Sequence, residues 1–278
     1  MPTVEAAPPL RSDAHPLVEL VAVGRELLTG RTVDTNSAWL AGRLTAAGAR
    51  VGRVTTVDDD PEAIAAAVRD AEARGAALVV TTGGLGPTFD DLTLAGIAAA
   101  LGRCLVEQAD ALAFVTRRYA ELAAAGAVAD AALTPPRRKM AALPEDGRPI
   151  DNAVGTAPGV LVGKDAFAVL SLPGVPAEMR AVFEEALPLV ADRVRGSAVC
   201  ERELASGSGD ESVIAVAVER VMAEVPGVHV KSLATAFSPD CDLRIRITAR
   251  GRDAAEAEAR AAAAAARLSE ELAHVRRR

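Results

Sequence analysis

Residues 81–93 read Thr-Thr-Gly-Gly-Leu-Gly-Pro-Thr-Phe-Asp-Asp-Leu-Thr and follow an apolar run at 76–80. Gly83, Gly84 and Gly86, then Pro87 and Thr88, are more than a turn requires, since one or two glycines supply positive φ. A backbone without Cβ atoms lets its N–H groups approach a ligand, and loops of this kind cradle phosphate. Two aspartates follow, Asp90 and Asp91. A carboxylate repels phosphate unless a cation lies between them. The pair therefore either caps a helix expected from about 91 to 101 or takes part in ligand and metal chemistry.

Four further stretches combine glycine, acid and small polar residues. Gly24 to Gly30 holds Glu26 and is followed by Asp34, Thr35 and Asn36, where Thr35 or Asn36 would cap a helix. Val57-Asp58-Asp59-Asp60-Pro61 follows a second apolar segment, and Asp-Pro ahead of a helix is ordinary capping chemistry. Asn152-Ala153-Val154-Gly155-Thr156-Ala157-Pro158-Gly159 is a second glycine loop. Leu172-Pro173-Gly174-Val175-Pro176-Ala177-Glu178-Met179 breaks one apolar run and launches a helix. Each alone reads as a turn or cap. Several follow strands, and a parallel sheet gathers such loops at one edge.

The elements that would position them alternate. Strands are expected at 17–23, 50–57 and 77–81, with helices from Thr35 to Gly48 and from Pro61 to about Arg74 between them. Helices follow at 91–101 and 108–125. Runs at 159–162 and 167–172 read as an antiparallel pair turning at Gly163-Lys164-Asp165, and a helix starts at Ala177. This order implies an α/β domain with a mostly parallel sheet covered on both faces. Beyond about residue 196 the rhythm changes to strand (199–205), helix (211–224), strand (228–234), strand (243–249) and a long alanine-rich helix (253–274), a small α+β unit. Ser206-Gly207-Ser208-Gly209 reads as a joint. The expected division is a lead-in at 1–16, an α/β domain at 17–195 and an α+β domain at 196–278.

Composition narrows the function. The chain has 278 residues, 50% apolar and 25% charged, with a net charge of −7 and three lysines, Lys139, Lys164 and Lys231. That balance argues against a broad nucleic-acid surface, and the short basic end at 276–278 does not change it. Cys104, Cys200 and Cys241 are scattered without a CxxC pair, suiting buried small hydrophobes in a reducing compartment. His15, His229 and His274 suggest neither a metal site nor a hydrolase triad. No segment is apolar enough to span a bilayer, and the opening lacks the order of a signal peptide. A cytoplasmic protein is expected.

GGLGPTFDDLT, NAVGTAPG and LPGVPAEM, in this order, together with GRELLTGRTVDTNSAWLAGRL and Arg138-Lys139-Met140-Ala141 ahead of Leu143-Pro144, resemble the CinA-like family, whose first domain belongs to the MoaB/Mog molybdopterin-binding superfamily. The resemblance covers about residues 17–250. It implies a three-layer α/β/α domain followed by a small KH-like domain. No GXXG clamp flanked by basic residues accompanies the latter, so RNA is not implied. The chain has no segment for the amidohydrolase domain of longer CinA proteins, so nicotinamide-nucleotide deamidation is not expected. Arg25 stands where a small or acidic residue is expected before Glu26.

The resemblance implies a metal-dependent hydrolase that cleaves ADP-ribose or a related dinucleotide to monophosphates. Asp91, Asp58, Asp59 and Glu26 would be catalytic, with Asp91 and Asp58 on Mg²⁺ and a monovalent cation such as K⁺ as an accompanying ion. Asp91 is read as the working carboxylate and Asp90 as the cap. Gly83, Gly84, Gly86, Pro87, Thr88, Asn36, Asn152, Gly155, Thr156, Pro173, Gly174 and Glu178 would contact the ligand. Two alternatives stand beside this: a molybdopterin-binding or adenylylating protein of cofactor biosynthesis, and a non-catalytic nucleotide-binding protein. A homodimer is expected, with a nucleotide or pterin phosphate as the small-molecule partner and neither nucleic acid nor membrane.

Overall fold

Seven consecutive residues of the first strand, LVELVAV, bury side chains on both faces, as a strand must when helices cover its sheet on each side. The computed structural model describes residues 15–164, 166–233 and 243–275. The expectations for the lead-in up to residue 14, Asp165, Ala234, Cys241 and the basic end at 276–278 lie outside the described residues.

The chain divides into two compact units, one of residues 15–195 and one from Gly196 onward. The first opens with β1 (Leu17–Val23), the short helix α1 (Arg25–Leu28), α2 (Thr35–Ala46), β2 (Arg50–Val57), α3 (Pro61–Ala73), β3 (Leu78–Thr82) and α4 (Thr93–Leu101). It continues through β4 (Leu105–Glu107), α5 (Ala109–Ala124), α6 (Pro135–Lys139), β5 (Ala142–Pro144), β6 (Arg148–Ile150), β7 (Gly159–Lys164), β8 (Phe167–Leu172), α7 (Pro176–Ala186), a 3₁₀ turn (Leu187–Val190) and α8 (Ala191–Val194). The main sheet has the order β2-β1-β3-β8-β7-β6. Its first four strands run parallel, and β7 and β6 close it antiparallel.

Alternate residues of β1 feed two cores. Val18 and Leu20 pack with Leu40 and Leu44 of α2 and with Met179 and Phe183 of α7. Val21 and Val23 pack with Ile64 and Val68 of α3 and Ile97 of α4. This is a three-layer α/β/α arrangement. Glu19 sits among these residues only 3% exposed, and Arg74 holds both its oxygens at 2.8 and 2.7 Å, so the buried charge is matched.

The second unit comprises β9 (Ala198–Ala205), α9 (Glu211–Glu224), β10 (Val228–Leu233), β11 (Arg244–Gly251) and α10 (Ala254–Val275). Its antiparallel sheet has the order β10-β11-β9. Ile245 and Ile247 pack with Ile214 and Val221 of α9 and with Leu268 of α10. Two cysteines depart from expectation: Cys104 is exposed, and Cys200 is half-buried, with its Sγ donating to Glu258 at 2.8 Å. Among the described residues, no helix is long and apolar enough to cross a membrane.

Candidate functional site

Four parallel strands, β1, β2, β3 and β8, end at the same edge of the sheet, and the loops that leave them enclose a cleft of about 510 Å³. Gly24 and Glu26 come from β1, Asp59 from β2, the glycine loop from β3, and Pro173 to Pro176 with Glu178 from β8. This is where open α/β sheets place their ligands.

The glycine loop forms one wall. Gly83 has φ 96° and Gly84 φ 64°, both in the region that favours glycine. The protein itself also requires them bare: a Cβ on Gly83 would overlap the Val23 carbonyl, and one on Gly84 would overlap Thr93 Oγ1. Thr93, fully buried, donates through that hydroxyl to the Gly83 carbonyl at 2.8 Å and through its N–H to the Gly84 carbonyl at 3.2 Å. The amides of Gly84, Leu85 and Gly86 have no hydrogen-bond partner among the described residues. Successive free amides beside positive-φ glycines form an anion-binding concavity.

The two aspartates do something other than cap a helix. α4 begins at Thr93, two residues later than the sequence implies, and its N-cap, Leu92, has no side-chain bond. Asp91 Oδ2 instead accepts the Thr88 N–H at 2.7 Å and faces the Thr88 hydroxyl at 2.5 Å. Asp90 Oδ1 faces the same hydroxyl at 2.5 Å. One hydrogen serves one carboxylate at a time, so Thr88 lies shared between the two. The hydroxyl, with the Lys139 charge as a lesser contribution, holds the Asp90 carboxyl below its ordinary range. The expected capping by Thr35 or Asn36 is likewise replaced: Asp34 caps α2, accepting the Ser37 N–H at 2.9 Å.

Of the residues singled out in the sequence, Glu26, Asn36, Asp59, Gly83, Gly84, Gly86, Pro87, Thr88, Asp91, Thr156, Pro173, Gly174 and Glu178 line the cleft. Asn36 Nδ2 donates to the Gly174 carbonyl at 2.7 Å, tying the α2 loop to the β8 loop. Asp58, Asn152 and Gly155 do not line it. Arg25 engages both oxygens of Asp58 at 3.0 and 2.9 Å and, with the Asp59 N–H, holds its carboxyl below the ordinary range. Asn152 is fully buried and spends its side chain on the loop: Oδ1 accepts the Gly155 N–H at 2.8 Å, and Nδ2 donates to the Ala157 carbonyl at 2.8 Å and to Glu178 at 2.7 Å. The Glu178 carboxylate fills the space where a Gly155 Cβ would stand. These two residues place Glu178.

Sequence reasoning missed Asp34, Val33 and Val175 as lining residues. Asp34 carried a readable signal, an acid directly before the Thr-Asn-Ser helix start, whereas the valines carried none. Six carboxylates line the cleft (Glu26, Asp34, Asp59, Asp90, Asp91 and Glu178), with no Lys, Arg or His. The donor set is all oxygen, which suits a hard cation such as Mg²⁺. However, no group of three or more His, Cys, Asp or Glu among the described residues is placed to hold a metal ion. Asp58 is committed to Arg25, and Asp91 and Asp59 each have one oxygen engaged, by Thr88 and by the Arg25 N–H at 3.0 Å. The described residues therefore build no metal cage of their own, and Asp59 and Asp91 each keep one oxygen outside these bonds.

Residues 19–192 match the family model described as "Probable molybdopterin binding domain", and the chain belongs to that family. A protein of Aeropyrum pernix is 46% identical over 221 residues, 79% of this chain and 80% of its own. One from Pyrococcus horikoshii is 46% identical over 178 residues, 64% of this chain and 70% of its own. Among solved structures, the protein CinA of Thermoplasma acidophilum, described as of unknown function, is similar with a TM-score of 0.57 and 42% identity, covering 64% of this chain and 99% of that one. Within the family the chain is CinA-like.

Proposed function

We propose that the cleft takes the diphosphate of a nucleotide and that the chain hydrolyses ADP-ribose, or a related dinucleotide, to two monophosphates. One observation carries this reading: three residues with uncommitted amides line a cleft whose lining holds six acids and no basic side chain. Amides alone bind an anion, but six carboxylates repel it, so a polyanion is admitted when a cation accompanies it. Mg²⁺ arriving with the substrate supplies that neutralisation and a more acidic bound water. Asp91 and Asp59 are the residues to hold it, each through the oxygen left over from its bond within the protein. Asp58, paired with Arg25, positions the Asp59 loop and not the metal.

The remaining roles belong to the chain's own groups. The amides of Gly84, Leu85 and Gly86 hold phosphate oxygens, and Thr156 also lines the cleft. Asp91 orients the water that attacks phosphorus, and Glu26 is a supporting acid. The new P–O bond forms as the bridging P–O bond breaks, and the proton leaves through a cleft carboxylate to solvent. Glu178, held by Asn152, lines the cleft beside Gly155.

A second reading is a pterin phosphate ligand, which the family's description favours; the same amides and acids would receive its phosphate. In the second unit, the strand–helix–strand–strand–helix order supports a KH-like reading, with a partner-contacting role should the chain prove non-catalytic. Purified full-length protein titrated with ADP-ribose, FAD, NAD and molybdopterin, each with and without Mg²⁺, separates these readings. Metal-dependent release of AMP from ADP-ribose is expected. Tight molybdopterin binding without turnover of any nucleotide would favour the second reading.

A further inference from the structure

Phe89 is the most exposed large apolar side chain among the described residues, 89% accessible, whereas Phe114, Tyr119, Phe167 and Phe183 are all buried. It occupies the tip of the glycine loop between Thr88 and Asp90, both of which line the cleft. The tip is pinned on each side. Asp91 accepts the Thr88 N–H at 2.7 Å, its own N–H donates back to the Thr88 carbonyl at 3.3 Å, and Lys139 Nζ reaches the same carbonyl from the end of α6. A braced loop therefore carries an uncovered ring between two residues that line the cleft.

The cleft needs such a ring. Its lining contains no aromatic side chain, and its exposed apolar surface comes from Val33 (80% accessible) and Val175. A nucleotide or pterin whose phosphates lie against Gly84 to Gly86 finds donors and acids inside but no flat surface for its heterocycle. Phe89, three residues beyond Gly86 and outside the lining itself, is the exposed ring carried by this loop. Stacking of this kind tolerates different heterocycles, because each has a π-face.

We propose that the Phe89 ring stacks on the heterocycle of the bound ligand, so that the site selects phosphates carrying a purine- or pterin-type ring over the same phosphates without one. This rests on reading the cleft as a phosphate site. The test is calorimetric titration of the full chain in Mg²⁺ with ADP-ribose in its α,β-methylene form, which cannot be hydrolysed, and with ribose 5-phosphate and inorganic pyrophosphate, for wild type, Phe89→Ala and Phe89→Trp. Phe89 buries nothing, so neither substitution threatens the fold. Phe89→Ala is expected to weaken ADP-ribose binding about tenfold while changing pyrophosphate by less than about twofold, and Phe89→Trp is expected to retain or tighten ADP-ribose binding. Equal weakening of all three probes, or unchanged ADP-ribose affinity in Phe89→Ala, would overturn the proposal. If unchanged affinity comes with a halved mass by light scattering, the ring serves a second copy of the chain instead. If wild type binds no pyrophosphate, the phosphate reading of the cleft itself fails, and with it the role of Phe89.

Discussion

Replacing Gly84 with alanine probes the feature on which the cleft depends, the turning of the loop by Thr93. Two costs add. At φ 64° an alanine takes on a left-handed conformation, about 1–2 kcal/mol. Its Cβ also overlaps Thr93 Oγ1, with Thr93 Cβ only 3.2 Å away, so the hydroxyl must leave its buried bond to the Gly83 carbonyl. Losing that bond in a dry site costs about 1–3 kcal/mol. The sum is about 2–5 kcal/mol. Gly30 is the control: its φ is 69°, but nothing lies within 4 Å of a Cβ there, so Gly30→Ala has only the conformational cost of about 1–2 kcal/mol. Trp39, the only tryptophan, packs edge-on against Phe183 at 5.6 Å, and its fluorescence during urea unfolding reports on this unit alone. Gly84→Ala is expected to unfold at clearly lower urea than Gly30→Ala. In the double variant Gly84→Ala/Thr93→Ala the loss should fall short of additive by about 1–2 kcal/mol, because the overlapping hydroxyl is gone. Equal midpoints for Gly84→Ala and Gly30→Ala would refute the contact argument.

Three further outcomes are expected. The Asp58 carboxyl is depressed by Arg25, so its pairing supports the fold above the ordinary value of 3.8 and is lost as pH falls through the lower folded value; melting of Asp58→Asn against wild type should show a small deficit at neutral pH that disappears in strong acid, and a deficit that grows in acid would reverse the sign of the argument. A chain ending at Arg195 should keep a folded α/β unit, to be checked by circular dichroism and proton NMR, where collapsed methyl dispersion would count against independence. The full chain should be a symmetric dimer at micromolar concentration, and a monomeric mass by light scattering would rule that out.

Much of the fold was legible because its signals are long. The 17–23 and 50–57 strands and the Pro61 helix coincide with the observed starts, since apolar runs and a proline at a helix's first turn leave few alternatives. The three-residue strands Leu105–Glu107, Ala142–Pro144 and Arg148–Ile150 were not legible, because three residues show no period. The site divides in the same way. Loops following parallel strands were sure to meet at one edge, so thirteen of the singled-out residues line the cleft. Asp58, Asn152 and Gly155 read as site residues because acid-rich and glycine-rich loops look alike whether they serve a ligand or the scaffold. Only the folded chain shows that Arg25 occupies Asp58 and that the Glu178 carboxylate fills the space beside Gly155. Phe89 escaped notice for the opposite reason: nothing in the residue type foretells that a ring will be held in water.

The most direct test of the account is turnover of ADP-ribose by Asp91→Asn under saturating Mg²⁺. Asparagine keeps an oxygen to accept the Thr88 N–H, so stability should change by no more than about 1 kcal/mol. It removes the charge required to hold a cation and orient water. A folded Asp91→Asn protein that has lost turnover by orders of magnitude is the predicted result. Wild-type turnover in that protein would contradict the catalytic role of the loop and leave its aspartates as braces of Thr88.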